Sequence, residues 1–524
     1  MEALFEVVLF LAIATLGAAL ARRIGVLAPI LLVIVGVGLS FVPGFPQAHL
    51  DPELVLVGIL PPLLYVAALE TSVPAFKFNL RPILLLGVGL VIFTAVAIGF
   101  VLHALLPQAP LPICIALGAV VAPPDAVAAT AIARRIGLPR RLVTILEGES
   151  LINDATALVM LRVATAAALG PAVGAWDVVG EVVITAGGGL LIGALGALVI
   201  GAIHRRIRDS LLDNTLSLLT PFIVVFVAEE VHASGVVAVV VTGLSLGHRL
   251  PVLMSAGSRL QMAAFWRLVR FLLEGLVFLL VGLQLRTVIP RIDTPWTTIT
   301  VVTVLVLLTV ILTRFVWLYP ATYLARLVPG VRRRDPSPAL RVPTVLAWAG
   351  MRGVVTLAAA LALPLTLAGG AHYPRELFVW LAFTVIVGTL VVQGATLPMV
   401  ARAMRLPGDD PTQDALAEAS VQQQAGRAAR ERLEAAADGA PPVVVERLRA
   451  LIEKRTNSAW ERLGGDERET PSQAYVRLRQ EMIDAEREVF RTARDDGRIP
   501  EEVLVRAYRD LDLEESLLRR SEQE

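Results

Sequence analysis

Through residues 1–405 the chain alternates long apolar stretches with short polar turns, many of them basic. A membrane-crossing helix needs about 20 mostly apolar residues to match the hydrocarbon core. Thirteen segments are candidates, centred in 3–21, 25–42, 53–72, 80–106, 111–133, 142–169, 178–203, 211–231, 234–247, 266–285, 297–325, 342–367 and 376–403. The ninth is the shortest. This pattern predicts an all-α, polytopic membrane protein. Beyond residue 405 the period persists but the polarity inverts. Leu448, Leu451 and Ile452, then Leu478, Met482, Ala485 and Val489, then Leu504, Ala507, Tyr508 and Leu511 recur at helical spacing among charged residues. A water-compatible helical tail domain is predicted over 406–524, with turns at 439–442 and 464–471 and a third at Asp496-Gly497 before Pro500.

Composition agrees with the pattern. Hydrophobic residues make up 56% and charged residues 18%, and the mean hydropathy is +0.69, which excludes an ordinary soluble protein. The net charge of +1 conceals two unlike parts: residues 1–405 hold 28 Lys+Arg against 19 Asp+Glu, and the remainder 19 against 27. The single cysteine, Cys114, excludes a disulfide framework and a redox pair. Basic residues lie beside apolar spans, so nothing points to nucleic acid, and the absence of a G-x-x-x-x-G-K-[ST] loop argues against ATP-driven pumping by this chain. Counted along thirteen spans, 22 basic residues fall on one side and three on the other. The positive-inside rule makes the rich side cytoplasmic. The expected arrangement is a multi-pass protein of the plasma membrane, N-terminus outside and tail inside. Glu2 and Glu6 precede the first run and Arg22-Arg23 follow it, so that run reads as a retained span.

An ionisable side chain inside a span costs roughly 2.5–3.5 kcal/mol on insertion scales, so each needs a reason. The fifth span contains Ala122-Pro123-Pro124-Asp125. Consecutive prolines forbid a continuous helix, and irregular backbone at membrane depth belongs beside a cavity or inside protein. Asp125, directly after the break, is both a helix cap and a site candidate. The sixth span reads Glu147-Gly148-Glu149-Ser150-Leu151-Ile152-Asn153-Asp154, with Ser150 and Asp154 four apart on one face. A carboxylate taken out of water holds its proton more tightly. If Asp154 alternatively binds a hard monovalent cation, proton and cation compete for one site, as exchange requires. The twelfth span carries Gly350-Met351-Arg352-Gly353, a buried arginine that needs an acid; Glu149 is the preferred partner, in a structural ion pair, and Asp125 the second. Spans four to six and eleven to thirteen are triplets with the interrupted element in the middle, the arrangement of inverted repeats with crossed, discontinuous helices. Among other acids, Glu229 reads as a solvated span end or entry funnel, Glu70 as interfacial, and Glu274 as paired with Arg270 one turn before it.

These motifs, taken in order, resemble the monovalent cation–proton antiporters, in particular the sodium/proton exchanger (NhaP-like) branch. Leu60-Pro61-Pro62-Leu63-Leu64 and Phe271-Leu272-Leu273-Glu274-Gly275 add to the likeness, which covers essentially residues 1–405. The resemblance implies a homodimer of thirteen-span subunits. Residues 1–72 and 211–285 would form the dimer part; 80–169 and 297–404 would form the moving core. Asp154 would carry Na⁺ or H⁺, supported by Asp125, Ser150 and Asn153, with Glu149 and Arg352 bracing the core and Pro123, Pro124, Gly350 and Gly353 forming the broken-helix elements. Asp154 and Asp125 would be the Na⁺ ligands; no cofactor is implied beyond the transported ions. Asn at 153, where an electrogenic branch carries Asp, implies electroneutral exchange. Two departures stand out: Val66 where many relatives have an acid, and Pro124 where many have a threonine. The expected function is secondary active Na⁺/H⁺ antiport by alternating access, with Li⁺ or K⁺ possible and K⁺/H⁺ antiport the alternative. An intramembrane aspartyl enzyme using Asp125 and Asp154, or a passive cation channel, represents the rival classes; no enzymatic activity is expected.

Overall fold

The computed structural model describes residues 2–46, 51–170, 175–289, 294–327, 329, 333, 338–367, 372–406, 408–461 and 469–523. The chain divides into two compact units, Met1–Gly408 and Asp409–Glu524.

The first unit is helical throughout its described elements: α1 (Glu2–Ile24), α2 (Ala28–Ser40), α3 (Leu54–Glu70), α4 (Leu80–Leu105), α5 (Leu111–Val121), α6 (Ala126–Arg135), α7 (Arg140–Leu169), α8 (Ala175–His204), α9 (Ser210–Glu230), α10 (Gly235–Leu253), α11 (Ala256–Leu283), α12 (Trp296–Tyr323), α13 (Arg341–Trp348), α14 (Val354–Leu361) and α15 (Arg375–Met404). Among the described residues, nine helices are individually long and apolar enough to cross a bilayer; α2, α3 and α5 are apolar but shorter. The helix α11 starts at Ala256, ten residues ahead of the predicted segment 266–285. Ser255 caps it by accepting from the Ser258 N–H at 3.1 Å, and its first turns carry Arg259 and Arg267, which hide them from a hydropathy reading.

In lipid the spans gain little from excluding water, so close backbone approach does the packing. Gly36 of α2 and Gly282 of α11 face one another with main-chain atoms where a Cβ would stand. Gly87 of α4 does the same against α7, where an added Cβ would lie 2.8 Å from Ile152 Cβ and 3.3 Å from the Glu149 carbonyl. These contacts fix α4 against the helix that carries the polar motif.

Both interrupted spans are broken where expected. α5 ends at Val121, Pro123-Pro124 runs on unwound, and α6 restarts with Asp125 as its cap. α13 ends at Trp348, and α14 restarts after Gly353. The two breaks meet: the Asp125 N–H donates to the Met351 carbonyl at 2.7 Å. The middle members of the two triplets are thus joined main chain to main chain.

Among its described residues the second unit holds four helices, α16 (Pro411–Ala436), α17 (Pro442–Glu461), α18 (Pro471–Asp495) and α19 (Glu501–Gln523). α16 packs on α17 and α18 on α19. Val476, Ile483, Leu511 and Leu518 form the apolar seam of the second pair, and Arg479 reaches Glu486 and Glu514 at 2.7 Å each. Thr470 and Gln473 close a reciprocal capping box at the start of α18. The turn at 439–442 and the break after Asp495 are where the pattern places them; most of the turn at 464–471 lies outside the described residues.

Candidate ion-binding site

At the meeting point of the breaks, every unusual residue in the two motifs has a local reason. Asp125 Oδ1 accepts from the Val127 N–H at 2.9 Å, satisfying one of the orphan donors of α6. The Pro124 carbonyl, which has no following helix turn to bond, accepts from Asn153 Nδ2 at 2.9 Å. Asn153 is fully buried, and its Oδ1 has no hydrogen-bond partner among the described residues. The twin glycines around Arg352 make room for charged side chains. A Cβ on Gly353 would lie 2.7 Å from Asp125 Cβ and 2.8 Å from its Oδ2, and one on Gly350 would lie 2.6 Å from Arg314 Nε.

A cavity of about 80 Å³ opens beside this junction. Asp125, Ser150, Asp154, Glu274 and Thr356, each with a side-chain oxygen, line it, and Pro124 and Gly353 line it from the two breaks. Asp154 is 8% exposed. Among the described residues no basic side chain lines the cavity. Carboxylate, hydroxyl and carbonyl oxygens suit a hard cation, and the space takes one ion with a few waters. Of the residues singled out from sequence, Asp125, Ser150 and Asp154 share this wall. Asn153 stands behind it and holds the unwound segment, not the cavity surface.

The buried ion pair differs from the sequence expectation. Glu149 is bound by Arg314 of α12, not by Arg352: Arg314 Nη1 lies 2.6 Å from Glu149 Oε1 and Nη2 lies 3.2 Å from Oε2. Arg314 Nη2 also donates to the Leu346 carbonyl at 3.0 Å. Both residues are 1% exposed or less, so the forked geometry supplies the match that desolvated charges need. The physical reason is reach across the fold: α12 packs against α13 and against Leu85–Leu90 of α4, which brings Arg314 to α7, while the unwound segment turns Arg352 elsewhere. The Arg352 backbone N–H is held by Thr389 Oγ1 at 3.0 Å. Its guanidinium is fully buried, with none of its nitrogens hydrogen-bonded among the described residues.

One further correction concerns an acid, and a second acid gains a partner. Glu274 faces the cavity, and Arg270 pairs instead with Glu70, Nη1 to Oε2 at 2.9 Å. Glu229 pairs with Arg162 at 2.7 Å, both about half exposed. Sequence reasoning therefore missed Arg314, Glu274 and Thr356. Thr356 carries a readable signal, lying three residues after Gly353 in the restarted helix; Arg314 carries one as a charge inside an apolar span, but nothing near it in sequence names its partner.

The chain is similar to known proteins over most of its length. The chain is 36% identical over 525 residues to an uncharacterized Na⁺/H⁺ exchanger of Mycobacterium tuberculosis, covering 98% of this chain and 95% of that one. It is 34% identical to the sodium, potassium, lithium and rubidium/H⁺ antiporter of Bacillus pumilus (71% of this chain, 57% of that one). It is 32% identical to the Na⁺/H⁺ antiporter ApNhaP of Aphanothece halophytica (80% and 77%). The solved sodium proton antiporter MjNhaP1 of Methanocaldococcus jannaschii superimposes with a TM-score of 0.62 over 78% of this chain and 100% of its own, at 18% identity, which is a likeness of fold. A family model described as sodium/hydrogen exchanger, transmembrane, matches residues 9–403, and the chain belongs to that family.

Proposed function

We propose that this protein exchanges Na⁺ for H⁺ across a membrane by alternating access, with Asp154 as the group that carries either ion. The observation that carries the reading is the cavity itself: Asp125 and Asp154 share one small wall, at the junction of two helix breaks, with no basic side chain among the described residues lining it. A carboxylate so placed takes a proton or a cation, and each displaces the other. Ser150 and Thr356 complete the oxygen set, and Asn153 keeps the unwound carbonyls in register. Arg314 and Glu149 brace the core from behind.

The finer points belong to the same reading. The thirteen helical segments, two of them split, cross the bilayer with the N-terminus outside and the Asp409–Glu524 unit in the cytoplasm. The chain works as a homodimer in the plasma membrane, and Asn153, which leaves one fewer carboxylate than an Asp-Asp pair would, supports one-for-one, electroneutral exchange. Glu274, on a helix assigned to the dimer part, gives the cavity the acid that Val66 does not supply. Broader cation use, K⁺ included, has a specific support: the Bacillus pumilus relative is named for four alkali cations. In proteoliposomes with an internal pH dye, Asp154→Asn should abolish the alkalinisation evoked by a Na⁺ gradient while the protein still inserts. A response undiminished in that variant refutes the assignment, and flux indifferent to the proton gradient in the unaltered protein refutes exchange.

A further inference from the structure

The Asp409–Glu524 unit uses only part of its helical apolar pattern in its own packing. α18 turns Val476 and Ile483 onto α19, yet Tyr475, Leu478, Met482 and Val489 on its neighbouring face stay 46–65% exposed. α17 packs on α16, and its Val444, Leu448 and Leu451 stay 42–48% exposed. With Ala485 counted in, both sets step by three and four residues in turn, the period of a coiled-coil seam. Each helix thus carries a second stripe of the kind that packs on another helix. Within one chain α17 and α18 meet at a corner: the Ser472 N–H donates to the Glu461 carboxylate at 3.1 Å, and the Lys454 ammonium sits over the Tyr475 ring. The stripes remain open with that corner formed.

The charges beside the stripes choose the partner. Arg447 and Lys454 flank the α17 stripe, Glu481 and Glu488 flank the α18 stripe at the equivalent positions, and all four are exposed. Charges at such flanking positions set partner and orientation. Antiparallel self-pairing of α17 would set base on base, and of α18 acid on acid. Antiparallel pairing of α17 with α18 matches them. With Val444 opposite Val489, Leu448 opposite Ala485 and Leu451 opposite Met482, Arg447 falls beside Glu488 and Lys454 beside Glu481. One alignment satisfies three apolar layers and two charge pairs together. Glu481 and Glu488 already have neighbours on their own helix, Arg477 at 3.8 Å and Arg491 at 2.6 Å. Exposed pairs of that kind hold weakly, and a carboxylate accepts from more than one donor.

We propose that the occupant of these stripes is a second copy of this chain: α17 of each subunit packs antiparallel on α18 of the other, giving two identical seams about a two-fold axis. The proposal needs the second copy that the homodimer reading supplies, and nothing of the ion site.

The test uses the full-length chain in membranes, with Cys114→Ala as the background and two differently tagged copies expressed together. One copy carries Leu448→Cys and the other Ala485→Cys. Mild oxidation should join the two tags in one disulfide-linked species, at least about tenfold above the yield from Glu453→Cys with Gln480→Cys, which point away from the seam. Lys454→Glu in every copy should lower that yield about fivefold, and adding Glu481→Lys should restore it. Co-purification of the two tags, measured without oxidant, reports the dimer independently of the seam. Co-purification without the Leu448→Cys/Ala485→Cys link overturns the tail pairing and leaves the homodimer standing; loss of co-purification overturns both. A disulfide that forms only when one chain carries both cysteines also overturns the proposal, since the tail then closes on itself. So does a Lys454→Glu defect that Glu481→Lys fails to restore, which removes the charge match that selects this pairing.

Discussion

The backbone N–H of Asp125 and the carbonyl of Met351, 226 positions apart in the chain, are 2.7 Å apart in space. Each belongs to a stretch that gave up its helix, so each brings an unspent hydrogen-bonding group to membrane depth, where an unmatched one is costly. Matching them main chain to main chain turns two separate interruptions into one platform. The carboxylate of Asp125 is then held by its cap bond to Val127 and packed close against the bare backbone of Gly353.

Gly353→Ala should break that platform. The new methyl would stand 2.7–2.8 Å from Asp125 Cβ, Cγ and Oδ2, closer than real carbon contacts allow, and the neighbour it meets sits in the cap rather than at the end of a flexible chain. Overpacking of this kind costs about 1–3 kcal/mol. Cation-evoked exchange in proteoliposomes should fall at least about tenfold while the protein still inserts. Wild-type exchange in Gly353→Ala would show that the approach of the two breaks is not needed.

Removing one member of the buried pair strands the other. Arg314→Met and Glu149→Gln should each lower stability by about 3–5 kcal/mol, read as lost thermal stability in detergent. Arg352→Met removes a buried guanidinium that makes no hydrogen bond among the described residues and should cost much less. A double-mutant cycle should find the large coupling between Glu149 and Arg314. A larger coupling between Glu149 and Arg352 would return the pair to the sequence expectation.

Glu274→Gln separates affinity from carriage. If Glu274 only draws the cation into the cavity, its neutral form should lower apparent Na⁺ affinity about five- to thirtyfold, roughly 1–2 kcal/mol at the effective dielectric of a half-buried site. The maximal rate should survive, in contrast with Asp154→Asn. An unchanged half-saturating Na⁺ concentration would remove Glu274 from the site.

In the second unit the charge network gives a pH dependence of known sign. The hydrogen bond from Arg479 holds the Glu514 carboxyl below its ordinary value of 4.5, and the one from Arg487 does the same for Glu515. A depressed carboxyl contributes stability that is present above the unfolded value and lost as pH falls through the folded one. The pairs are largely solvated, so the contribution is small. Amide exchange of residues 471–523 in the full chain, corrected for intrinsic rates, should show α18–α19 protection weakening below about pH 4.5. Arg479→Gln should flatten that dependence. Protection that rises on acidification would contradict it.

What was readable from the chain alone divides along distance in sequence. The broken spans announce themselves because Pro123-Pro124 and the Gly350 and Gly353 pair act on their own backbone. The shared face of Ser150 and Asp154 follows from helical spacing, and the cavity receives both. Partnerships across the fold were opaque. Arg352 stood next to two glycines and looked like the natural mate for Glu149, but those glycines serve Asp125 and Arg314, and the mate is 165 positions away on another span. Glu274 was misread the same way, because Arg270 one turn back is a visible neighbour and Glu70 is not. Helix periodicity says which residues share a face; it does not say which face of another helix will meet them.

One consequence follows from Asp125 being a cap. The oxygen that completes the first turn of α6 belongs to the same carboxyl group that faces the cavity. On the proposed function, a visiting cation and the Val127 N–H would bid for one group, and whatever the visitor took would be withdrawn from the coil's opening bond. Cargo and scaffold would then share an atom's worth of chemistry, and loading the carrier would be felt in the turn that holds it.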